Sequence, residues 1–190
     1  MNGTPILDQL AGWLPHGRRA SAVATPEDFA AFFEHTHQSV FRYVYGLGGG
    51  PQENAEDLTA EAFARAWKAR PTFRGDAAAA LGWVLQIARN LVIDDIRRLQ
   101  QRPEAALDDT GDLLSSDPPP EARVIAEEQR QALLRMLQEL SAEPREILVL
   151  RYLVGWRVNQ IARYLGIPEN SVSVSIHRSL ERMKRRWSLD

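Results

Sequence analysis

Apolar residues recur at helical spacing along two separate stretches of this chain, and an acidic segment that ends in prolines divides the two stretches. In the first stretch, Phe29, Phe32 and Phe33 begin a pattern that continues through Val40 and Val44. We find no extended alternation of apolar and polar residues of the kind that is typical of a strand. The sequence therefore predicts an all-α protein with two small helical domains joined by a flexible acidic linker.

Changes in composition divide the chain into four segments. We expect an N-terminal extension over residues 1–24, a first helical domain over residues 25–100, an acidic linker over residues 101–128 and a second helical domain over residues 129–190. The linker holds two basic and eight acidic side chains, a net charge of −6. Its prolines and acidic residues predict an extended tether, which is either a plain spacer or a segment with a specific role.

Helix boundaries in the first domain follow from capping residues and helix breakers. The segment Thr25–Asp28 predicts a helix start, because it combines a threonine cap, an early proline and the acid of a capping box. Gly46 and the glycines that follow it predict the end of that helix. A second helix is expected over residues 52–69, where Pro71 terminates it, and a third over residues 78–99.

The second domain ends in a pattern of two helices joined by a tight turn. Helices are expected over residues 121–140, 158–165 and 170–187, and a short helix is expected to follow Ser141–Pro144 and run to Tyr152. Gly166 suits the left-handed cap of the helix over residues 158–165. Ala162 is small and would let the last helix cross closely over the helix before it. The residues expected to be buried between the two helices are Ile167, Val172, Ile176 and Leu180. This arrangement predicts a helix-turn-helix, whose second helix enters the major groove of DNA.

The charge of the second domain supports contact with DNA. Residues 129–190 carry eleven basic and six acidic side chains, a net charge of +5, although the whole chain has a net charge of −2. Serine and asparagine can read base edges, valine can contact a thymine methyl group, and arginine can bind phosphate. An ordinary packed helical hairpin is the alternative. The candidate DNA-binding residues are Asn170, Ser171, Ser173, Val174, Ser175, Arg178 and Arg182.

Two further surfaces are predicted in the first domain. Acidic and apolar side chains alternate on the second helix, which predicts either a solvated face or a docking face for a basic partner. Its candidate contacts are Asp57, Leu58, Glu61, Phe63 and Trp67. The loop from Phe73 to Asp76 and the third helix combine aromatic, amide and guanidinium groups, which suits single-stranded DNA. Its candidate contacts are Arg74, Trp83, Gln86, Arg89, Asn90, Arg97 and Arg98, although Trp83 is equally suited to core packing.

The sequence offers little for catalysis or for a cofactor. The chain has no cysteine, which excludes thiolate metal sites and disulfides. His35 and His37 lie two residues apart on a helix and point away from each other, so they make a poor metal pair. A helical hydrolase that uses these histidines with Asp94 would need metal-dependent turnover. We therefore expect no metal, no cofactor and no enzymatic activity. With neither a membrane span nor a signal peptide in the sequence, we expect a cytoplasmic protein.

These stretches together resemble the extracytoplasmic-function sigma factors of bacteria, a subfamily of the sigma-70 proteins. The resemblance covers about residues 26–98 and 131–186, in the order that the family has them. Besides the helix-turn-helix, it is carried by four segments: Asp57–Phe63, Phe73–Gly75, Trp83–Asp94 and Pro144–Tyr152.

The resemblance implies a subunit of RNA polymerase that is not itself a catalyst. Its first domain would dock on the clamp helices of the large catalytic subunit through the Asp57–Trp67 helix. The Phe73–Asp76 loop and the helix with Trp83, Gln86 and Asn90 would capture a flipped base and melt the minus-ten element of promoter DNA. The Asn170–Arg182 helix would read the minus-thirty-five element. The linker would run toward the active site and RNA exit path, and an anti-sigma factor linked to the membrane would hold the protein inactive.

The chain departs from the family pattern in the helix-turn-helix. Arg157 and Val158 stand where the family often has a capping serine or threonine, and Pro168 replaces a usual capping serine. Ser173 and Ser175 stand where the family often has lysine or arginine, so the promoter sequence does not carry over from relatives. A stand-alone helix-turn-helix repressor or activator is the alternative function. The apolar residues of the N-terminal extension suit a small amphipathic helix, which packs internally or docks a partner.

Overall fold

The computed structural model describes residues 21–101 and 120–187, with side chains from residue 128 in the second range, and its regular elements there are all helical. The all-α prediction is therefore confirmed for the described residues. Residues 1–20 and 102–119, which hold most of the N-terminal extension and of the predicted linker, lie outside them. The helices are α1 Pro26–Gly48, α2 Gln52–Ala69, α3 Ala77–Gln101, α4 Pro120–Gln138, α5 Ala142–Leu148, α6 Val158–Leu165 and α7 Glu169–Trp187.

The ends of α1 form as the sequence predicts, with one exception. The backbone N–H of Asp28 donates to Thr25 Oγ1 at 3.1 Å, and the N–H of Thr25 donates to Asp28 Oδ2 at 3.3 Å, which completes the capping box. Gly49 closes the helix in the left-handed conformation, at φ +67°. Gly46 does not end the helix but lies inside it. A Cβ at Gly46 would approach Leu153 Cδ1 to 2.6 Å, so α1 lies close to the second domain at this glycine and a larger residue would force Leu153 to shift.

Helices α1, α2 and α3 pack into a three-helix bundle around a buried apolar core. A polar link joins α2 to α3, because Asn54 Nδ2 donates to Asp95 Oδ2 at 2.7 Å. Asp95 is buried, and the amide partner compensates the loss of water around its carboxylate. The core residues of the bundle include Phe29, Phe32, Val40, Val44, Ala62, Phe63, Ala66, Leu81, Val84, Leu85 and Ala88.

The two domains share this core, which the sequence does not predict. After α5 the chain makes one π-helical turn, Val149–Leu153, and this turn packs against α1. Val149, Leu150 and Trp156 belong to the same buried cluster as the bundle residues. On the other side, a Cβ built at Gly82 of α3 would lie 3.8 Å from Tyr164 Cδ2. The second domain thus lies directly on α1 and α3.

Arg145 on α5 reinforces the junction of the two domains. Its guanidinium donates to the carbonyls of Leu137, Gln138 and Leu140 at 3.1, 2.8 and 2.9 Å, which satisfies groups at and after the C-terminal end of α4. It also donates to the carbonyl of Leu47, in α1, at 3.2 Å. Burial lowers the pKa of Arg145. One side chain therefore connects the ends of α1 and α4.

The helix-turn-helix forms from α6 and α7, with Gly166 between them at φ +69°. The N–H of Ile167 donates to the carbonyl of Ala162 at 3.1 Å, so the turn folds back on α6. The expectation that Leu180 is buried is wrong, since it is 40% exposed. At 3.6 residues per turn the inward stripe of α7 passes through Ser179, which is buried, and Leu180 lies about 100° further round the helix.

The buried tyrosines at the junction predict a loss of stability at high pH. Burial is the main cause that raises the pKa of Tyr164 to about 12 and that of Tyr43 well above 10. Unfolded tyrosine titrates near 10, so the stabilisation is fully present below pH 10 and is lost as the pH rises through the folded-state pKa values.

We therefore expect the free energy of unfolding, measured by urea denaturation with circular dichroism, to fall steeply from about pH 10 to about pH 12. Tyr164→Phe should make that fall shallower. The control is Tyr152→Phe, because Tyr152 is 56% exposed. Identical curves for the two variants would contradict the assignment of this pH dependence to the buried phenols.

Candidate functional site

The exposed side of α2 is an acidic face, which consists of Glu53, Glu56, Asp57 and Glu61. Glu53, Asp57 and Glu61 recur every four residues, so helical geometry places them in one stripe, and Glu56 lies beside it, three residues after Glu53. Glu61 accepts a hydrogen bond from Arg65 Nε at 2.7 Å, in an exposed ion pair. Leu58 is half-buried and packs against the core between the acidic residues and the bundle. Asp57, Glu61 and Leu58 are therefore placed together at one surface.

Two aromatic residues predicted for this surface have different positions. Phe63 is only 4% exposed, and its ring lies 4.8 Å from the ring of Phe33, centroid to centroid. It supports the acidic face from beneath and is not available for direct contact with a partner. Trp67 is 38% exposed, at the C-terminal end of α2. The Arg70 guanidinium lies 3.4 Å from the centroid of the Trp67 ring, a cation–π contact that fixes the indole at the surface.

The predicted single-strand face is centred on α3. Gln86 and Asn90 are both exposed, one helical turn apart, and Gln86 Nε2 lies 3.5 Å from Asn90 Oδ1. Trp83 is half-buried and its ring stacks on Phe73, with 4.7 Å between centroids and 20° between planes. The indole thus packs onto the loop, and Gln86 follows Trp83 by three residues on α3.

The arginines predicted for this face fall into two groups. Arg74 folds back on its own loop, because its Nη1 donates to the carbonyls of Pro71 and Phe73, both at 2.7 Å. Arg97 and Arg98 lie on the last turns of α3, exposed for 70% and 71% of their side chains. They make ion pairs with Asp94 and Asp95, which an incoming phosphate would have to displace.

The predicted major-groove residues lie along one side of α7. Asn170, Ser171, Ser173, Val174, Arg178 and Arg182 are exposed, and Ser175 is half-buried. Val172, between them, is completely buried and anchors the helix in the core. At the start of α6, Gln160 Oε1 accepts from the N–H of Arg157 at 2.8 Å. The glutamine thus satisfies the N–H of the N-cap residue, which is the reciprocal half of a capping box.

A buried ionic cluster at the domain junction was not predicted. Glu146 of α5 is 2% exposed, and Arg89 Nε donates to its two carboxylate oxygens at 3.0 and 2.9 Å. Tyr43 Oη donates to Glu146 Oε1 at 2.6 Å. The hydrogen bond with Glu146 is the main cause that raises the pKa of Arg89. The sequence analysis counted Arg89 among exposed residues, because its position on α3 flanks the polar face.

The histidines and Asp94 occupy separate environments. His35 Nδ1 lies 2.6 Å from the carbonyl of Ala31, and the His37 ring stacks on Phe33 with 5.1 Å between centroids. Asp94 is paired with Arg97 on α3. Among residues 21–101 and 120–187 no three acidic, histidine or cysteine side chains are grouped to hold a metal ion. None of the helices in those ranges is both long and apolar enough to cross a membrane.

Comparison with known proteins gives two sequence families in the order of the two domains. The family described as Sigma-70 region 2 matches residues 32–102, and Sigma-70, region 4, matches residues 130–183. The chain is 31% identical to the ECF RNA polymerase sigma factor SigL of Mycobacterium tuberculosis over 169 residues, which are 87% of this chain and 93% of SigL. It is also 31% identical to the ECF sigma factor BldN of Streptomyces coelicolor, over 83% of this chain and 59% of BldN.

Two solved structures share the fold. One is the sigma factor RpoE in complex with the anti-sigma factor NepR from Bartonella quintana, with a TM-score of 0.64 at 18% identity over 86% of this chain and 99% of that chain. The other is CnrH in complex with the cytosolic domain of CnrY, with a TM-score of 0.61 at 18% identity over 97% and 96%. Since SigL is matched over nearly its whole length and both sigma-70 regions are present in order, the chain belongs to the extracytoplasmic-function (ECF) sigma factors of RNA polymerase.

Proposed function

We propose that the acidic face of α2 docks this sigma factor on core RNA polymerase, at the clamp helices of the large catalytic subunit. The observation that carries this proposal is the stripe of exposed carboxylates with Trp67 at one end and Leu58 behind it. A basic partner helix would gain ionic contacts at the rim and an apolar anchor near the centre. A solvated surface helix needs no exposed tryptophan held by a cation–π contact.

The two DNA-facing surfaces divide promoter recognition between them. Gln86 and Asn90 offer amide donors and acceptors to the edges of an unstacked base of the minus-ten element, and the Trp83 ring gives it a neighbouring surface for stacking. The exposed side of α7 enters the major groove of the minus-thirty-five element, where Asn170 and Ser171 contact base edges. The arginines of α7 bind phosphate. The polymerase catalyses RNA synthesis, and this chain positions the polymerase at the promoter.

An anti-sigma factor is a further proposed partner. Two solved structures with this fold are complexes of a sigma factor with NepR and of CnrH with the cytosolic domain of CnrY. A protein that covers the acidic face or the α7 face would keep this chain from the polymerase or from DNA. Pull-down from the source cell, with and without substitution of the acidic face, identifies such a partner.

A stand-alone repressor is the rival function, and one experiment separates the two. Transcription reconstituted with core polymerase and a genomic promoter library should depend on this chain. In the matching gel-shift assay, the chain should retain a promoter fragment well only when core polymerase is present. Tight, specific binding of duplex DNA by the chain alone, together with no effect on the polymerase, would support the repressor instead.

Charge reversal tests the docking face. Asp57→Arg with Glu61→Arg should weaken binding to core polymerase by about tenfold or more, since like charges at an interface cost several kcal/mol. Binding is measured by co-purification and by fluorescence titration with labelled protein. The control is Glu128→Arg with Glu143→Arg, which makes the same charge change at exposed residues of the second domain. Equal loss in both double variants would mean that net charge, and not this face, sets the affinity.

Removal of the α3 amides tests minus-ten recognition. Gln86→Ala and Asn90→Ala should each lower the rate of promoter opening about tenfold, because a good side-chain contact to a base is worth about 1–3 kcal/mol. Polymerase binding should stay unchanged. Opening is followed with 2-aminopurine in the minus-ten element, and Gln38→Ala on the exposed side of α1 is the control. Normal opening in both amide variants would exclude this face.

Substitutions on α7 should fall into two groups, which differ in how the loss of DNA affinity depends on promoter sequence and on salt concentration. Arg178→Ala and Arg182→Ala should weaken binding of the holoenzyme to all promoters alike, and each should reduce the slope of log affinity against log salt by about 0.9. Asn170→Ala should instead cost about 1–3 kcal/mol at one base pair and relax the preference there. Arg135→Ala, at an exposed position of α4, is the control. An unchanged base preference across a promoter library for Asn170→Ala would contradict groove reading.

A further inference from the structure

The carboxylate of Glu146 lies at the domain junction, and its described partners all come from the other domain. Arg89 of α3 and Tyr43 of α1 together donate to both of its oxygens, at 2.6 to 3.0 Å. Glu146 itself is carried by α5 of the second domain. If the domains separated, Glu146 would lose these three hydrogen bonds and Arg89 would lose its acidic partner.

Arg89 occupies a position that suits contact with DNA. It lies three residues after Gln86, about one turn further along α3, and directly before Asn90. About a third of the side chain, 34%, remains exposed even when the guanidinium is bound to Glu146. Arg89 Nε donates to both oxygens of the Glu146 carboxylate, and guanidinium N–H groups donate to carboxylate and phosphate oxygens alike. The Glu146 carboxylate and a DNA phosphate would therefore compete for the same guanidinium.

In the structure the two domains pack directly on each other, and this closed arrangement is incompatible with simultaneous binding of both promoter elements. The two elements lie about 25 base pairs apart, or about 85 Å at roughly 3.4 Å per base pair. In the structure, however, α3 lies within 4 Å of Tyr164 and Trp156 of the second domain, measured from a Cβ built at Gly82. The domains must separate before both faces reach their elements, and separation removes Glu146 from Arg89.

The closed junction is built so that it can open. A buried ion pair gains little over its solvated state, because the cost of removing both charges from water offsets most of the attraction. Trp156 Nε1, which is buried close to α3, has no hydrogen-bond partner among the described residues. Such a group favours a state in which it reaches water.

We infer that Glu146 masks Arg89, one of the candidate contacts of the single-strand face, in the closed state, and that Arg89 binds a DNA phosphate there once the carboxylate has moved away. This inference rests on the proposed function, since it takes α3 as the single-strand face. It assigns Glu146 two effects, to hold the domains together and to withhold one cation from DNA.

Domain separation is measured first, without polymerase or DNA. The chain has no cysteine, so Gln38→Cys and Glu181→Cys give one dye site on an exposed position of each domain. Energy transfer between the dyes should decrease in Glu146→Gln, in Arg89→Gln and, to a smaller extent, in Tyr43→Phe. Glu143→Gln, an exposed glutamate on the same helix, should leave it unchanged. Helix content by circular dichroism identifies any variant that has simply unfolded.

Binding of single-stranded DNA then tests separately whether Glu146 masks Arg89 and whether Arg89 contacts the strand. The probe is a fluorescein-labelled, mixed-sequence strand of about 20 nucleotides, titrated at several salt concentrations. Glu146→Gln should bind it about five- to tenfold more tightly than Glu143→Gln, which has the same charge. Glu146→Gln with Arg89→Gln should lose that gain, and its salt slope should be smaller by about 0.7, the value of one phosphate contact on a single strand. Arg42→Gln, an exposed arginine on α1, controls for the loss of a cation.

The outcomes are distinct. If Glu146→Gln and Arg89→Gln both open the domains and both tighten binding, Arg89 does not contact the strand and the inference is overturned. Unchanged energy transfer in all three junction variants also overturns it, because Glu146 then does not hold the closed state. Failure of the wild-type chain to bind core polymerase refutes the proposed function alone, since neither assay of the junction contains polymerase.

Discussion

The contact on which the rest of the structure depends is the packing of the Val149–Leu153 turn against α1. The contact is close at Gly46, where a Cβ would lie 2.6 Å from Leu153 Cδ1 and 3.0 Å from Val149 Cγ2, so a larger residue would force these side chains to shift. The contact places Leu150 and Trp156 in the core of the first domain, where their apolar surface is removed from water. Because α5 precedes this turn, the packing also carries Glu146 inward, to a position where a carboxylate without Arg89 and Tyr43 would be strongly destabilising. Apolar packing and the ionic cluster therefore depend on each other.

The same packing determines what each functional face can do. The acidic face of α2 is exposed in this arrangement, while the buried side of α2 packs on α1 and α3. The α3 face is closer to the junction. Gly82 and Arg89 lie against the second domain, whereas Gln86, between them, and Asn90, next to Arg89, remain exposed. A partner can therefore reach the acidic face in the closed state. Full use of α3 requires the domains to move apart.

The sequence predicted the local structure well and the contact between the domains not at all. Capping residues such as Thr25 and Gly166 act within a few residues of themselves, so the helix ends and the turn of the helix-turn-helix follow from local chemistry. The burial of Phe63, the exposure of Leu180 and the pairing of Arg89 with Glu146 depend on which helices lie opposite. Residues 89 and 146 are 57 positions apart, and no periodicity links them. The one local signal is an acidic residue directly before the apolar run Ile147–Leu150, where a solvated glutamate is not expected.

The distribution of charge explains why one chain can carry three faces of different chemistry. The cations of α7 and the carboxylates of α2 are exposed on helices of different domains, and exposed opposite charges more than about 10 Å apart are largely screened at moderate salt. Arg89 is different, because it is only partly exposed and its acidic partner lies at 2.9 Å. Screening by salt does not release it. Only a change in the relative position of the two domains does so, and the inferred binding of DNA phosphate by Arg89 is thereby coupled to that movement.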